Sequence, residues 1–296
     1  MTVTRRPAAE HAVDPPLVRQ LLADQHPDLA DLPLLPAASG WDNMVYRLGD
    51  DLAVRLPRRA AAAPLLANEL RWLPRLADRL PLPIPSPVRG GTPGAGYPWP
   101  WAVTPWLPGR IAAEATLAAW RRAAHELGRF VAALGQPAPP DAPVNLFRGV
   151  PLLDRQLAVL ERLDRLGSAV DSRRARAVWS AAVVVPPWAG APVWLHGDLH
   201  PANLLVDRGA LTGVIDFGDL TAGDPATDLS VAWMLFGPAE RDVFRAAAGR
   251  PDDATWTRAR GNALAHAIAC LASSANDPII AGIGRHTLTN VLDDHR

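Results

Sequence analysis

The stretch from His196 to Asp219 restricts the possible folds of this chain more than any other. It reads His196-Gly197-Asp198-Leu199-His200-Pro201-Ala202-Asn203-Leu204-Leu205-Val206 and, thirteen residues beyond Asn203, Asp216-Phe217-Gly218-Asp219. Val193 to Leu195 just before it, Leu204 to Val206 within it and Leu211 to Phe217 near its end are short apolar runs of strand type, with Gly209 in the turn between the last two. A loop between strands then presents a carboxylate, Asp198, and an amide, Asn203, five positions apart. A hairpin turning near Asp207 to Gly209 returns a second carboxylate, Asp216, beside them. Oxygen donors converging in this way suit the hard cation Mg²⁺, whose remaining ligands are water and phosphate. A lone Asp or His at a strand end is ordinary turn chemistry, but turn chemistry does not call for this whole set at this spacing.

The rest of the chain supplies a frame for that loop. Asp14-Pro15 opens a helix over Pro15 to Ala23, with Leu17, Val18, Leu21 and Leu22 at helical spacing. A proline-broken connector is expected through Pro36. Strands are expected at Met44 to Leu48 and Leu52 to Leu56, turning at Gly49-Asp50-Asp51. Ala60 to Leu80 reads as a helix that Pro74 bends or ends. After the extended Pro81 to Pro87, strands are expected at Pro87 to Gly90 and Trp99 to Trp106. Helices then dominate: Glu114 to Leu134 closed by Gly135, Leu152 to Leu166 closed by Gly167, Ser172 to Val183, and most of the chain from Pro225 on, beginning with one helix through Phe236. The pattern is a small β-rich lobe over 1–104, a hinge at 105–109 in Pro105-Trp106-Leu107-Pro108-Gly109, and a larger helical lobe over 110–296.

The combined motif resembles that of the aminoglycoside phosphotransferase family, which shares the protein-kinase-like fold, and it is similar to the catalytic loop and Asp-Phe-Gly segment of protein kinases. The resemblance implies an α+β, two-lobed protein-kinase-like fold, with an antiparallel sheet in the N-terminal lobe. It implies that Asp198 orients an acceptor hydroxyl and takes its proton, that Asn203 and Asp216 hold Mg²⁺, and that His196 and Asp228 support the catalytic loop. The donor would be ATP or GTP. In the kinase pattern a strand lysine contacts the phosphates and pairs with a helix glutamate. Here Arg55 stands at the lysine position and Glu69 at the glutamate position, fourteen residues later. All 30 basic residues are Arg, and the guanidinium fork suits phosphate oxygens. Ser39-Gly40 falls where a phosphate-covering loop belongs, with one glycine in place of three. Pro105, Trp106 and Leu107 would meet the base through backbone groups.

Two departures separate this chain from protein kinases. His196-Gly197-Asp198 lacks the arginine that pairs with a phosphorylated activation loop, and Asp224 follows Asp216 by only eight positions, which leaves no room for a peptide platform. Both favour a small-molecule acceptor; the resemblance implies a hydroxylated antibiotic such as an aminoglycoside or macrolide, with a host sugar or amino alcohol as the alternative. A catalytically silent nucleotide-binding protein would need none of Asp198, Asn203 and Asp216. Basic and acidic residues balance at 30 each, which speaks against a nucleic-acid partner. No apolar run is long enough for a membrane span, and Met1 to Glu10 lacks the apolar stretch of a signal peptide. The expectation is a cytoplasmic monomer or weak homodimer. Cys270, in an apolar helical run, is expected to be a buried thiol. His200, His266 and His286 are expected to pack or face solvent, and Asp293 and Asp294 to be solvated.

Overall fold

The computed structural model describes residues 7–274 and 277–294, apart from the side chains of Ala38 and Ser39. Residues 1–6, part of the segment read for a leader, lie outside it. Two compact units emerge. One takes the described residues up to Asp78 together with Pro83–Pro108; the other takes Arg79–Leu82 and everything from Gly109 on.

The first unit is built on a five-stranded antiparallel sheet in the order β1-β2-β3-β5-β4, comprising β1 (Leu34–Ser39), β2 (Asn43–Leu48), β3 (Leu52–Pro57), β4 (Arg89–Gly91) and β5 (Trp101–Pro105). β1 lies where a proline-broken connector was expected. Pro36 is tolerated because β1 is an edge strand and its register slips at Pro36/Ala38. Helix α1 (Pro15–Gln25) starts on Asp14, whose carboxylate accepts from the Leu17 N–H at 3.0 Å. It lays Val18, Leu21 and Leu22 against Leu48, Val54, Leu56, Trp101 and Val103 of the sheet. Helix α2 (Ala63–Leu76) buries Leu66, Glu69, Trp72, Leu73 and Leu76. Pro74 lies inside it rather than ending it, so the α-helical turn continues to Leu76.

The second unit carries two small sheets and the helices. β6 (Arg110–Ile111), β8 (Leu204–Asp207) and β9 (Ala210–Val214) form an antiparallel trio, and β7 (Val193–Leu195) pairs with β10 (Thr221–Gly223). Helices α3 (Trp120–Leu134), α4 (Gln156–Leu166), α5 (Ser172–Val184), α6 (Ala226–Leu229), α7 (Val231–Leu235), α8 (Pro238–Ala247), α9 (Asp253–Ser273) and α10 (Pro278–Leu292) make up the rest. α9 packs against α4, α5, α6 and α10, and its buried alanines at 259, 263, 265 and 267 allow close approach.

Several expectations are corrected. Residues 114–119 are not helical, and α3 begins at Trp120. Gly135 closes α3 with φ −66°, not in the left-handed region. Residues 152–155 form a 3-10 turn before α4. The expected helix through Phe236 divides into α6 and α7 at Ser230, whose hydroxyl donates to the Thr227 carbonyl at 2.6 Å. Asp294 is buried, accepting from the Trp233 indole N–H at 2.7 Å, rather than solvated. Cys270 is buried. Among the described residues no helix is long and apolar enough to cross a membrane.

Candidate active site

The loop between β7 and β8 is folded by its own motif. Asp228, 2% exposed, accepts from the backbone N–H of His196 through Oδ2 at 2.7 Å and of Gly197 through Oδ1 at 3.0 Å. Burial pushes its carboxyl pKa up, against the pull of His196 and these two N–H donors. The His196 ring is fully buried. Its Nε2 lies 2.9 Å from the Ile215 carbonyl and its Nδ1 accepts from the Asp198 N–H at 3.2 Å, so the ring proton sits on Nε2. Phe217 packs on the ring at 4.5 Å between centroids. Gly197 adopts φ +85°, and a Cβ there would stand 2.2 Å from the Asp219 carbonyl oxygen. Only glycine fits that backbone at that approach.

These bonds tie the loop to the segment after β9. The Asn203 amide NH₂ donates to the Asp198 carbonyl at 2.9 Å, and the Asn203 carbonyl accepts from the Ile215 N–H at 2.9 Å. With its NH₂ so committed, Asn203 has Oδ1 as the atom that could take a metal ion. Asp216 follows Ile215 with an exposed side chain and a left-handed backbone, φ 65° and ψ 70°. An aspartate tolerates this conformation better than most residues, though still at some cost. A carboxylate and an amide oxygen on linked segments make a hard donor set, the kind Mg²⁺ accepts through a few protein oxygens. Among the described residues no cluster of three His, Cys, Asp or Glu side chains with metal-binding geometry occurs. An Asn–Asp site would therefore rely on phosphate and water for its remaining ligands.

Asp198 is surrounded by residues the motif does not announce. Arg148 donates to its Oδ1 at 2.5 Å and, through Nε, to Asp219 at 3.1 Å. Arg148 rides on a loop fixed by Asn145, whose side chain donates to Asp219 at 2.8 Å and accepts from the Phe147 N–H at 2.8 Å. His200 Nε2 lies 3.4 Å from Asp198 Oδ2, while its Nδ1 accepts from the Ala202 N–H. Burial alone would raise the Asp198 carboxyl pKa. The hydrogen bond and charge of His200, then Arg148 and His266, outweigh it and hold the group far below the usual carboxylate range.

An open cavity lies against Asp198, with Arg148, Arg155, Thr227, Asn262 and His266 in its wall. His266 stacks on His200 at 5.3 Å. Burial first, then His200, Arg148 and Arg155, bring its pKa down to about 3 against the pull of Asp198. His200, expected to pack or face solvent, is buried against Asp198, and His266, expected to be incidental, shares the cavity wall with it. Asp224 accepts from the Ala226 N–H at 3.0 Å, as a cap would, and also pairs with Arg258 at 2.7 Å.

In the other unit, Arg55 of β3 and Glu69 of α2 form a buried two-pronged pair at 2.5 and 3.1 Å. Gly40 is held by its N–H to the Asn43 carbonyl and by Arg58 on its own carbonyl. Ser39 pairs with Met44 in the β1–β2 register, and its side chain is outside the described set. Pro105 closes β5, the Trp106 N–H donates to the Asp51 carbonyl at 2.7 Å, and Arg47 lies over the Trp106 ring. Leu107 follows, half-buried.

The fold has solved counterparts. APH(2'')-IIIa, in its complex with GDP and kanamycin, is 23% identical, with 91% of this chain and 96% of that one aligned and a TM-score of 0.65. The macrolide 2'-phosphotransferase MphH of Brachybacterium faecium is 26% identical over 86% of this chain and 89% of that one, with a TM-score of 0.62. Among curated proteins, the Escherichia coli aminoglycoside 3'-phosphotransferase is 41% identical over 59 residues, 20% of this chain and 22% of that protein. The uncharacterized protein YcbJ of Bacillus subtilis (strain 168) is 39% identical over 54 residues, 18% of each. The chain thus spans about a fifth of the length of these curated relatives. The sequence model described as the phosphotransferase enzyme family matches residues 33–261. That match spans well over half of its length, and the chain belongs to the phosphotransferase enzyme family.

Proposed function

We propose that the protein is a small-molecule O-phosphotransferase that moves the γ-phosphate of ATP or GTP to an acceptor hydroxyl, with Asp198 as the catalytic carboxylate. The observation that carries this reading is the hydrogen-bonded array around Asp198: Asp228 on the loop backbone, Asn203 on the Asp198 carbonyl, and Ile215 on Asn203. It fixes one carboxylate beside a cavity, and Asn203 and Asp216, the residues that would hold Mg²⁺, lie on segments joined to it. Asp198 orients the hydroxyl in line with the γ-phosphorus. As the new P–O bond forms and the bond to the β-phosphate oxygen breaks, the hydroxyl proton passes to Asp198 and then to solvent. A carboxylate this acidic is a weak base, which suits a loose transition state where positioning does most of the work. Mg²⁺ held by Asn203 and Asp216 would neutralise phosphate charge. Arg55, oriented by Glu69, would contact the phosphates, with Ser39-Gly40 covering them and Pro105 to Leu107 meeting the base.

The solved neighbours named above are aminoglycoside and macrolide enzymes, which makes an antibiotic hydroxyl the first acceptor class to test. A metabolic acceptor is the second reading, favoured by the two arginines in the cavity wall. The test is a panel of antibiotics and metabolites incubated with Mg²⁺ and labelled ATP or GTP. Asp198→Asn should abolish transfer while keeping nucleotide affinity within a few-fold, and near wild-type turnover would sink the assignment. Asp216→Asn should weaken Mg²⁺-dependent nucleotide binding; an unchanged Mg²⁺ titration would remove that role.

A further inference from the structure

The charge of the cavity wall is unusual for a site meant to hold a polycation. Its ionised groups are one carboxylate, Asp198, and two guanidiniums, Arg148 and Arg155. Arg148 is balanced by Asp198 and Asp219. Arg155 stands at the start of α4 and is half-buried. Its NH1 donates to Asn262 Oδ1 at 3.0 Å, and among the described residues no carboxylate lies within ion-pair distance of it. Asn262 is a fixed, neutral acceptor: its NH₂ group donates to the Arg258 carbonyl, and Arg258 is anchored by Asp224. A guanidinium has five N–H donors, and the Asn262 bond takes one of them. Burial first, then the charges of Arg148 and Arg162, lower the Arg155 pKa to about 10 against the pull of Asp198, so it remains a cation at neutral pH. His266 is uncharged there and adds no negative charge. Asp198, the carboxylate in the same wall, is paired with Arg148, and a guanidinium left without a carboxylate at ion-pair distance favours an incoming anion and repels another cation.

We propose that the acceptor carries a carboxylate as well as the hydroxyl it presents to Asp198, and that Arg155 is the residue that receives the carboxylate. This rests on the phosphotransferase reading and specifies its substrate class: a hydroxy acid. The carboxylate has the planar, two-oxygen shape that a guanidinium fork matches. Arg148, committed to two carboxylates, is not the anion's partner.

The experiment uses the full chain with Mg²⁺ and ATP or GTP and acceptors in matched pairs: gluconate with glucose, glycerate with glycerol, and glucuronate with its amide, with kanamycin as the polycation. Phosphorylated product is measured by mass, and kcat/KM is compared within each pair. The expected result is that at least one acid exceeds its neutral partner by about ten-fold or more, equivalent to about 1.4 kcal/mol. Arg155→Gln should then collapse that ratio toward one, chiefly through KM, and Arg155→Lys should retain part of it. The lysine variant keeps the charge, so it separates loss of recognition from loss of fold. Equal or better turnover of neutral partners or of kanamycin overturns the inference while leaving the phosphotransferase reading in place. So does an acid preference that survives Arg155→Gln. Absence of both phosphoryl transfer and Mg²⁺-nucleotide binding removes the two together.

Discussion

Asp228 offers the sharpest separation between holding the loop and doing the chemistry. It is 2% exposed, and its two oxygens each take one backbone N–H of the His196-Gly197 peptide pair. In Asp228→Ala both donors lose their partner in a place water does not reach. Each such loss costs about 1–3 kcal/mol, so the gross effect is about 2–6 kcal/mol. Part is offset, because the alanine no longer buries a carboxylate whose raised pKa marks an unfavourable setting for its charge. Asp228→Asn is the more informative variant. Its single carbonyl oxygen can keep one N–H, while its NH₂ group faces the other, donor against donor. The expected loss is about 1–3 kcal/mol, enough to weaken the protein without unfolding it.

The asparagine variant should also lose activity beyond what stability explains. With one of the two anchors gone, the His196–Asp198 backbone can rotate, and a shift of about 1 Å at a positioned group can cost on the order of 100-fold in rate. Urea unfolding followed by circular dichroism gives the first quantity. Turnover with a productive acceptor, measured where both proteins are fully folded, gives the second. If Asp228→Asn unfolds within about 0.5 kcal/mol of the wild type and turns over at the wild-type rate, then the two short N–H bonds do not hold the loop and the reasoning fails.

Gly197→Ala should be destabilised by about 1–2 kcal/mol from the left-handed backbone alone, with more from the Cβ that would stand 2.2 Å from the Asp219 carbonyl; thermal unfolding indistinguishable from wild type would refute the close approach. His266 gives a pH signature. Its folded pKa, lowered to about 3 by burial, lies below the unfolded value near 6.5, so the unfolded chain binds the extra proton first as pH falls. The stabilising contribution is complete above about 6.5 and is lost toward 3, with a limiting slope of about 1.4 kcal/mol per pH unit. Urea titrations of wild type and His266→Asn between pH 7 and 5 should show a flatter dependence in the variant; parallel curves would count against a neutral buried imidazole.

How much of this was legible depends on how local each interaction is. Asp198, Asn203 and Asp216 fall within one strand–loop–hairpin, so their spacing along the chain nearly dictates their juxtaposition. The proposed support from Asp228 entered by resemblance, because the helix carrying it begins only after β10. Other features needed the fold. β1 was hidden by Pro36, whose missing N–H matters little on an edge strand beside a register slip. Residues 114–119 have helical composition, yet the backbone is tied elsewhere on either side of and within them, with Ala112 and Ala113 just before donating to the carbonyls of Leu204 and Pro201, and Ala118 to that of Gly209. Asp294 looked like a tail carboxylate until Trp233 closed over it.

The cavity beside Asp198 is the instructive case. Arg148 comes from an irregular loop, Arg155 from the turn before α4 and His266 from α9, and no spacing rule links them to Asp198, which lies 43 to 68 positions away along the chain. One trace was there to be read. Arg258, Asn262 and His266 recur every four residues along an otherwise alanine-rich helix, a polar stripe where an apolar face belongs. Such a stripe on a buried helix needs partners: Asp224 answers Arg258, and Asn262 answers Arg155. Arg155 itself is answered by an amide alone among the protein groups described. Phosphoryl transfer makes the same demands of every member of a family, so its residues form a motif. The acceptor is read by side chains that each sequence brings in from separate elements, and there the charge balance of the folded cavity says more than the spacing of residues along the chain.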